Sequence, residues 1–123
     1  MRSRHKWSSS FRYAFQGITY GLKTQRNLRV HVVCAVLAAG AAAFFHLSAV
    51  KWAILLLTIA VVIAAELINT AVESAVDLSS PELHPLAKAA KDTAAGAVLV
   101  CAIFAVIIGI VLFYDPVTAW LSN

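Results

Sequence analysis

Residues 52–77 read WAILLLTIAVVIAAELINTAVESAVD, and this stretch decides the fold. Its first half is apolar except for Thr58, whereas its second half carries three acidic residues and an amide, with no Pro or Gly to interrupt a helix. At 1.5 Å per residue, a helix over 50–77 is about 42 Å long, against about 30 Å for the hydrocarbon core of a bilayer. The pattern predicts a helix that crosses a membrane and continues beyond it, with Glu66 near the boundary.

The composition also indicates a membrane protein. The chain has 123 residues, of which 61% are hydrophobic and 13% are charged, and its mean hydropathy is +0.81. A soluble domain is typically about 45–50% apolar. The length accommodates three spans and a short polar remainder, which excludes a separate soluble catalytic domain such as a Rossmann or P-loop unit. Any chemistry must therefore be done by the membrane helices and their short flanks.

Positive charge is concentrated at the N-terminal end of the chain. Residues 1–29 contain seven of the ten Lys and Arg residues and no Asp or Glu. By the positive-inside rule, this end stays in the cytoplasm. We therefore attribute the basic cluster to membrane topology and predict no nucleic-acid partner.

The order of polar and apolar segments predicts a single all-α membrane domain over 11–123. We expect a flexible basic tail, an amphipathic helix on the membrane surface and three membrane spans. The tail is expected over 1–10, the surface helix over about 11–27, and the three spans over about 30–48, 50–77 and 90–114. The N-terminus and the polar end of the second span then lie in the cytoplasm, and His31 and His46 lie at the two interfaces of the first span.

Four polar residues of the second span share one face of the predicted helix. At 100° per residue, Glu66, Asn69, Glu73 and Asp77 lie within about 80° of one another. Carboxylate oxygens at this density suit Mg²⁺, which takes one or two carboxylates together with substrate phosphates. A carboxylate at the lipid boundary can also act as a base. Taken singly, Glu66 can instead be a protonated packing residue, and Glu73 and Asp77 a solvated helix end.

Two long motifs resemble one known family. Residues 66–77, ELINTAVESAVD, resemble the E-[IL]-[IL]-N-[TS]-A-[IV]-E-x-x-x-D signature of the prokaryotic diacylglycerol kinase and undecaprenol kinase family. Residues 90–98, AKDTAAGAV, resemble its A-K-D-x-[AG]-[AS]-[AG]-A-V signature. Residues 11–17 and 25–31 resemble its surface helix and the entry to its first span. The resemblance covers about residues 11–113.

The resemblance implies an integral-membrane lipid kinase that depends on ATP and Mg²⁺. It implies transfer of the γ-phosphate of ATP to the hydroxyl of a membrane lipid alcohol, at composite sites near the cytoplasmic face of a homotrimer of three-span subunits. It also implies a multi-pass protein of the bacterial inner (plasma) membrane.

The motifs further imply roles for individual residues. Glu66 matches the catalytic base of the family and Glu73 matches a metal ligand. Asn69 and Asp77 match polar residues that support the site. The nucleotide-binding positions of the family match Tyr13, Glu73, Glu82, His84, Lys91 and Asp92.

Gln25 departs from the pattern of the family. Many members have a Glu at this position that serves as a second metal-binding carboxylate, whereas an amide offers one carbonyl oxygen and no charge. Three alternatives stay open: Gln25 coordinates the metal weakly, Glu73 suffices as the metal ligand, or Asp77 takes the place of the missing carboxylate.

The residues also leave the lipid acceptor and one alternative function open. The entry to the first span, RNLRVH over 26–31, resembles the undecaprenol kinase subgroup more than the diacylglycerol-specific one, which slightly favours undecaprenol. The alternative function is a small proton-coupled transporter with Glu66 as its proton site. A transporter usually places such a Glu near the midplane of its spans, whereas Glu66 is predicted at the boundary.

Overall fold

The computed structural model describes residues 7–123, which form four helices and no strand. The helices are α1 (Trp7–Thr24), α2 (Arg26–Phe44), α3 (Ala49–Ser79) and α4 (Pro85–Leu121). This confirms the all-α prediction.

In the part of the chain that the structure describes, three helices are long and apolar enough to cross a membrane. They are α2 with 19 residues, α3 with 31 and α4 with 37, and their most apolar windows have mean hydropathies of 1.6, 2.2 and 3.1. At 1.5 Å per residue α3 is about 46 Å long, which exceeds a hydrocarbon core of about 30 Å. The three predicted spans are therefore confirmed as helices, and α3 has length to spare for its polar end.

Helix α1 differs from the bounds predicted for the surface helix. It already includes Trp7, the first described residue, ahead of the predicted start at residue 11, and Trp7 and Phe11, one helical turn apart, lie on the same face. Residues 7–10 thus belong to α1, while the rest of the predicted tail, 1–6, lies outside the described residues. The helix ends at Thr24 because the next residue, Gln25, has an extended backbone with φ −111° and ψ 110°.

The junction between α1 and α2 is held by one arginine and one glycine. The Arg29 guanidinium donates hydrogen bonds to the carbonyl oxygens of Leu22 (2.8 Å) and Lys23 (3.1 Å), which lie in the unpaired last turn of α1. Gly21 is buried, and a Cβ atom added there would lie 2.9 Å from Cδ2 of Leu28 and 3.1 Å from Cδ2 of Leu67. The absence of a side chain at Gly21 therefore lets α1 pack closely against α2 and α3. Its neighbour on α3, Leu67, directly follows Glu66.

The connection between α2 and α3 is a tight turn, so α2 ends at Phe44 and not at residue 48 as predicted. His46 adopts a left-handed backbone with φ 53°. The backbone N–H of Leu47 donates to the carbonyl of Ala42 (3.1 Å), and the Ser48 hydroxyl accepts from the backbone N–H of Lys51 (3.3 Å). Ser48 therefore serves as the N-cap of α3.

Helix α4 is longer than predicted at both ends. It begins at Pro85, which suits the first turn of a helix because that turn needs no N–H from it, and the His84 side chain caps it by accepting from the backbone N–H of Leu86 (3.1 Å). It continues through Pro116 to Leu121, although a proline inside a helix removes one hydrogen bond. Beyond Pro116, the ring of Trp120 lies 6.2 Å from the ring of Phe45, so the last turns of α4 contact the end of α2.

The buried core lies at the end of the bundle near the α2–α3 turn. Its buried members are Ala42, Leu47, Leu55 and Leu112. Helices α3 and α4 make the most extensive contact in the chain. Long apolar side chains elsewhere on the three spans remain exposed in the single chain, and such faces suit lipid or other membrane helices.

Candidate active site at the polar end of helix α3

Glu66 is a fully buried carboxylate at the start of the polar half of α3. Its side chain is 1% exposed, and its Oε1 lies 3.3 Å from Nε2 of His31 on α2. The two groups are close enough for an ion pair if the imidazole is protonated, but the contact does not meet hydrogen-bond geometry, so within residues 7–123 Oε1 has no hydrogen-bond partner. A buried polar group without such a partner is costly and calls for a functional explanation.

His31 is a member of the site that the sequence did not reveal. The spacing along α2 predicts an interfacial histidine, whereas the structure places its half-buried ring against Glu66. The two residues are 35 positions apart, and only the packing of α2 on α3 brings them together. Two signals were available in the sequence: His31 is a histidine in an otherwise apolar span, and it ends the 25–31 stretch that resembles the family's entry to that span.

The polar stripe on α3 is observed where it was predicted. Asn69 and Thr70 are buried, at 7% and 5% exposure, and Glu73 is half-buried one turn farther along. The Asn69 amide donates to Oε1 of Glu73 (3.2 Å), and the Thr70 hydroxyl donates to the backbone carbonyl of Glu66 (2.9 Å). Among the described residues, Oδ1 of Asn69 has no hydrogen-bond partner. A buried amide oxygen therefore lies next to the carboxylate that the resemblance assigns to the metal.

A cavity lined by both charged and apolar residues lies beyond the stripe, where α3, the α3–α4 loop and the start of α4 meet. We call it the cradle; its volume is about 630 Å³. Its lining includes Asp77, Glu82, His84, Lys88, Lys91 and Asp92. The structure thus brings five predicted site residues into one cavity and adds Lys88 to them.

Both lysines of the cradle are paired with carboxylates. Lys91 on α4 contacts Asp77 on α3, and Lys88 donates to Asp92 one turn farther along α4. These side chains are between 40% and 78% exposed, and exposed ion pairs of this kind contribute little to stability because water screens them. An incoming phosphate can therefore replace either carboxylate at low cost.

Tyr13 and Gln25 lie apart from the cradle. Tyr13 is 47% exposed on α1, where the Arg12 guanidinium carbon lies 5.4 Å from the centre of its ring. Gln25 is half-buried at the α1–α2 junction, and its side chain does not cap α2. Neither residue lines the cradle within this one chain.

The described residues contain no group of three or more His, Cys, Asp or Glu side chains that could hold a metal ion. A single Mg²⁺ nonetheless needs only one or two protein carboxylates when phosphates supply the other ligands. Glu73, with the unpaired oxygen of Asn69 beside it, fits that smaller requirement.

An apolar cavity of about 290 Å³ lies between α2, α3 and α4 on the membrane side of Glu66. His31 lines one end of this cavity and Phe113 the other. Small side chains open the space between the helices, among them Ala35, Ala38, Ala105 and Gly109. His31 thus contacts both the buried carboxylate and an apolar space inside the spans.

Comparison with known proteins identifies the family of the chain. The family model described as prokaryotic diacylglycerol kinase matches residues 12–113. The chain belongs to the prokaryotic diacylglycerol kinase family. The resemblance inferred from the two motifs is therefore confirmed, and every site residue predicted above lies inside the matched range.

Relatives named for two different lipids are similar to the chain. It is 51% identical over 108 residues to a diacylglycerol kinase of Synechocystis sp., covering 87% of this chain and 62% of that protein. It is 44% identical over 111 residues to an undecaprenol kinase of Bacillus subtilis, covering 89% of each, and 29% identical over 103 residues to a diacylglycerol kinase of Escherichia coli, covering 84% of each. The match thus spans less than two thirds of the Synechocystis protein. Neither the family nor these relatives support the alternative of a proton-coupled transporter.

Proposed function

We propose that this chain is a lipid kinase that transfers the γ-phosphate of ATP to the hydroxyl of a membrane lipid alcohol. The observation that carries the proposal is the buried Glu66 carboxylate with its unpaired oxygen, on the same helix as the polar residues that lead to the lysines of the cradle. A lipid acceptor reaches Glu66 from the membrane, and a soluble donor reaches the cradle from the cytoplasm.

In this proposal Glu66 is the catalytic base. It accepts the proton of the lipid hydroxyl as the hydroxyl oxygen attacks the γ-phosphorus. Its position supports the role, because Glu66 is 17 residues from Ala49, or about 26 Å along α3, which is close to the thickness of a hydrocarbon core. A lipid hydroxyl at headgroup depth then meets the carboxylate at the same level.

The cradle is the proposed nucleotide site. Phosphoryl transfer depends mainly on positioning and on neutralising charge at the transferred group. Lys91 and Lys88 supply positive charge, and their weak pairs with Asp77 and Asp92 are exchanged for phosphate oxygens. Glu82 and His84 line the same cavity and complete the predicted nucleotide contacts of this region. Tyr13 on α1 does not line the cradle of its own subunit. We therefore propose that it contacts a nucleotide bound in the cradle of another subunit.

Glu73 is the proposed ligand of Mg²⁺, which would neutralise phosphate charge when bound. The Asn69 amide holds the Glu73 carboxylate in place, and the unpaired Asn69 oxygen adds polar support on the same side. Gln25 stays a doubtful second ligand, because it contributes no charge and lies at the α1–α2 junction.

We further propose a homotrimer in the bacterial inner (plasma) membrane, with the N-terminus and the active site on the cytoplasmic face. The excess of Lys and Arg near the N-terminus supports this orientation. The exposed apolar faces of the spans leave room for subunit contacts. Undecaprenol is slightly favoured over diacylglycerol as the acceptor, on the sequence of the entry to the first span.

Transfer of ³²P from [γ-³²P]ATP tests the proposal directly. Purified protein in lipid micelles is supplied with undecaprenol or diacylglycerol, with Mg²⁺ present or chelated. We expect Mg²⁺-dependent labelling of the lipid, stronger with undecaprenol. Labelling of neither lipid in excess ATP and Mg²⁺ contradicts the kinase proposal, and equal labelling without Mg²⁺ contradicts the role of Glu73.

A further inference from the structure

The contact between His31 and Glu66 joins the most buried acid of the chain to a less buried imidazole. Nε2 of His31 is 3.3 Å from Oε1 of Glu66, and the side chains are 24% and 1% exposed. Among residues 7–123 that oxygen has no hydrogen-bond partner. His31 is therefore the group in place to hold the oxygen and to exchange a proton with it.

We propose that His31 is a positioning residue that orients Glu66 and carries away the proton that Glu66 accepts. The inference rests on the proposed kinase function. A base buried to 1% exposure has no direct route by which to return its proton to water, and His31, which is 24% exposed and lies five residues after the start of α2, supplies one. Imidazole is suited to this task, because one ring nitrogen accepts a proton while the other releases one near neutral pH.

The proton of the lipid alcohol leaves the site in three steps. The O–H bond of the lipid alcohol breaks and its proton moves to the Glu66 carboxylate, while the alcohol oxygen bonds to the γ-phosphorus and the bond from that phosphorus to the ADP oxygen breaks. The proton then moves from Glu66 to Nε2 of His31. The imidazolium releases a proton to water, which restores neutral His31 and ionised Glu66 for the next cycle.

Two substitutions at His31 distinguish its role in orienting Glu66 from its role in proton transfer. His31→Gln keeps a side chain that can hydrogen-bond to Glu66 but cannot carry a proton, and His31→Ala removes both functions. The matched control is His46→Gln, because His46 lies at the other end of the first span, in the α2–α3 turn. Each variant is assayed by lipid labelling at varied ATP.

We expect kcat to fall about 100-fold in His31→Gln, in the range for loss of one acid–base group, with the KM for ATP unchanged. Added imidazole should restore part of the rate of His31→Ala, since the apolar cavity lined by His31 gives it access. His46→Gln should keep the wild-type rate. A kcat within about threefold of wild type in His31→Gln overturns the inference, and so does a failure of imidazole to raise the rate of His31→Ala.

A second measurement needs no turnover. Reaction of Glu66 with an apolar carbodiimide, followed by mass spectrometry of the peptide, reports how far the imidazole shields the carboxylate. We expect faster modification of Glu66 in His31→Ala, with modification of Glu73 unchanged as the internal reference. Equal rates in wild type and variant overturn the contact. If the wild-type chain labels no lipid, the proposed function and the proton step fail together, while the carbodiimide result still decides whether His31 holds Glu66.

Discussion

Replacing Glu66 by Gln removes the proposed base while leaving the shape of the site almost unchanged. Glutamine has nearly the same volume as glutamate, so the buried position is filled without a cavity. The Thr70 hydroxyl bonds to the backbone carbonyl of residue 66 and is therefore unaffected by the change of side chain. The contact with His31 then involves an amide instead of a carboxylate, and the cradle is not touched, because Glu66 does not line it.

The expected loss of rate follows from the absence of a second carboxylate nearby. A positioned general base contributes about 10²–10⁴-fold, or about 2.7–5.4 kcal/mol at 1.36 kcal/mol per tenfold. The next carboxylate along the stripe, Glu73, is seven residues away, or about 10 Å along the helix axis. No other described carboxylate contacts His31, so we expect a loss of about 10³-fold or more.

The assay is the initial rate of ³²P transfer to lipid, together with ATP binding measured separately. We expect Glu66→Gln to lose turnover while ATP binding stays close to wild type. The matched control is Asp115→Asn, the same carboxylate-to-amide change near the opposite end of α4, which should keep full activity. Near-normal turnover by Glu66→Gln would refute the assignment of the base, and lost ATP binding would show that Glu66 supports the nucleotide site instead.

Three further substitutions test the metal site and the docking of α1. Glu73→Ala should raise the Mg²⁺ concentration needed for half-maximal rate by at least about tenfold, and an unchanged Mg²⁺ titration would argue against Glu73 as ligand. Gln25→Glu should lower that Mg²⁺ concentration if the position touches the metal, whereas an identical titration curve would place Gln25 outside the metal site. Gly21→Val should destabilise the protein by about 1–3 kcal/mol, because its Cβ meets Leu28 at 2.9 Å. Gly17→Val, on the same helix with nothing within 4 Å, is the control for thermal unfolding in micelles, and equal melting of the two variants would mean that α1 does not dock through Gly21.

Most of the secondary structure was predictable from the sequence. The prediction missed helix ends, where contacts between distant parts of the chain matter. The apolar runs and the uninterrupted polar end of α3 predict three long helices, and the structure confirms them. The extension of α4 to Leu121 was missed because the uncharged run ends at Tyr114, immediately before Asp115. Packing of Trp120 on Phe45 overrides that local signal. The end of α1 at Thr24 was missed because nothing in the local pattern marks Gln25 as extended.

By itself, the sequence determined which residues lie on one face of one helix. The stripe from Glu66 to Asp77 and the membrane character of the three spans depend on local spacing and composition, which a single helix expresses without any partner. Only the tertiary structure decided which residues from different helices meet. The contact of His31 with Glu66, the pairing of Lys91 with Asp77 and the separation of Tyr13 from the cradle all depend on how each helix is rotated and crossed against its neighbours. That rotation is set by the packing of side chains over the whole interface and not by the spacing within either helix.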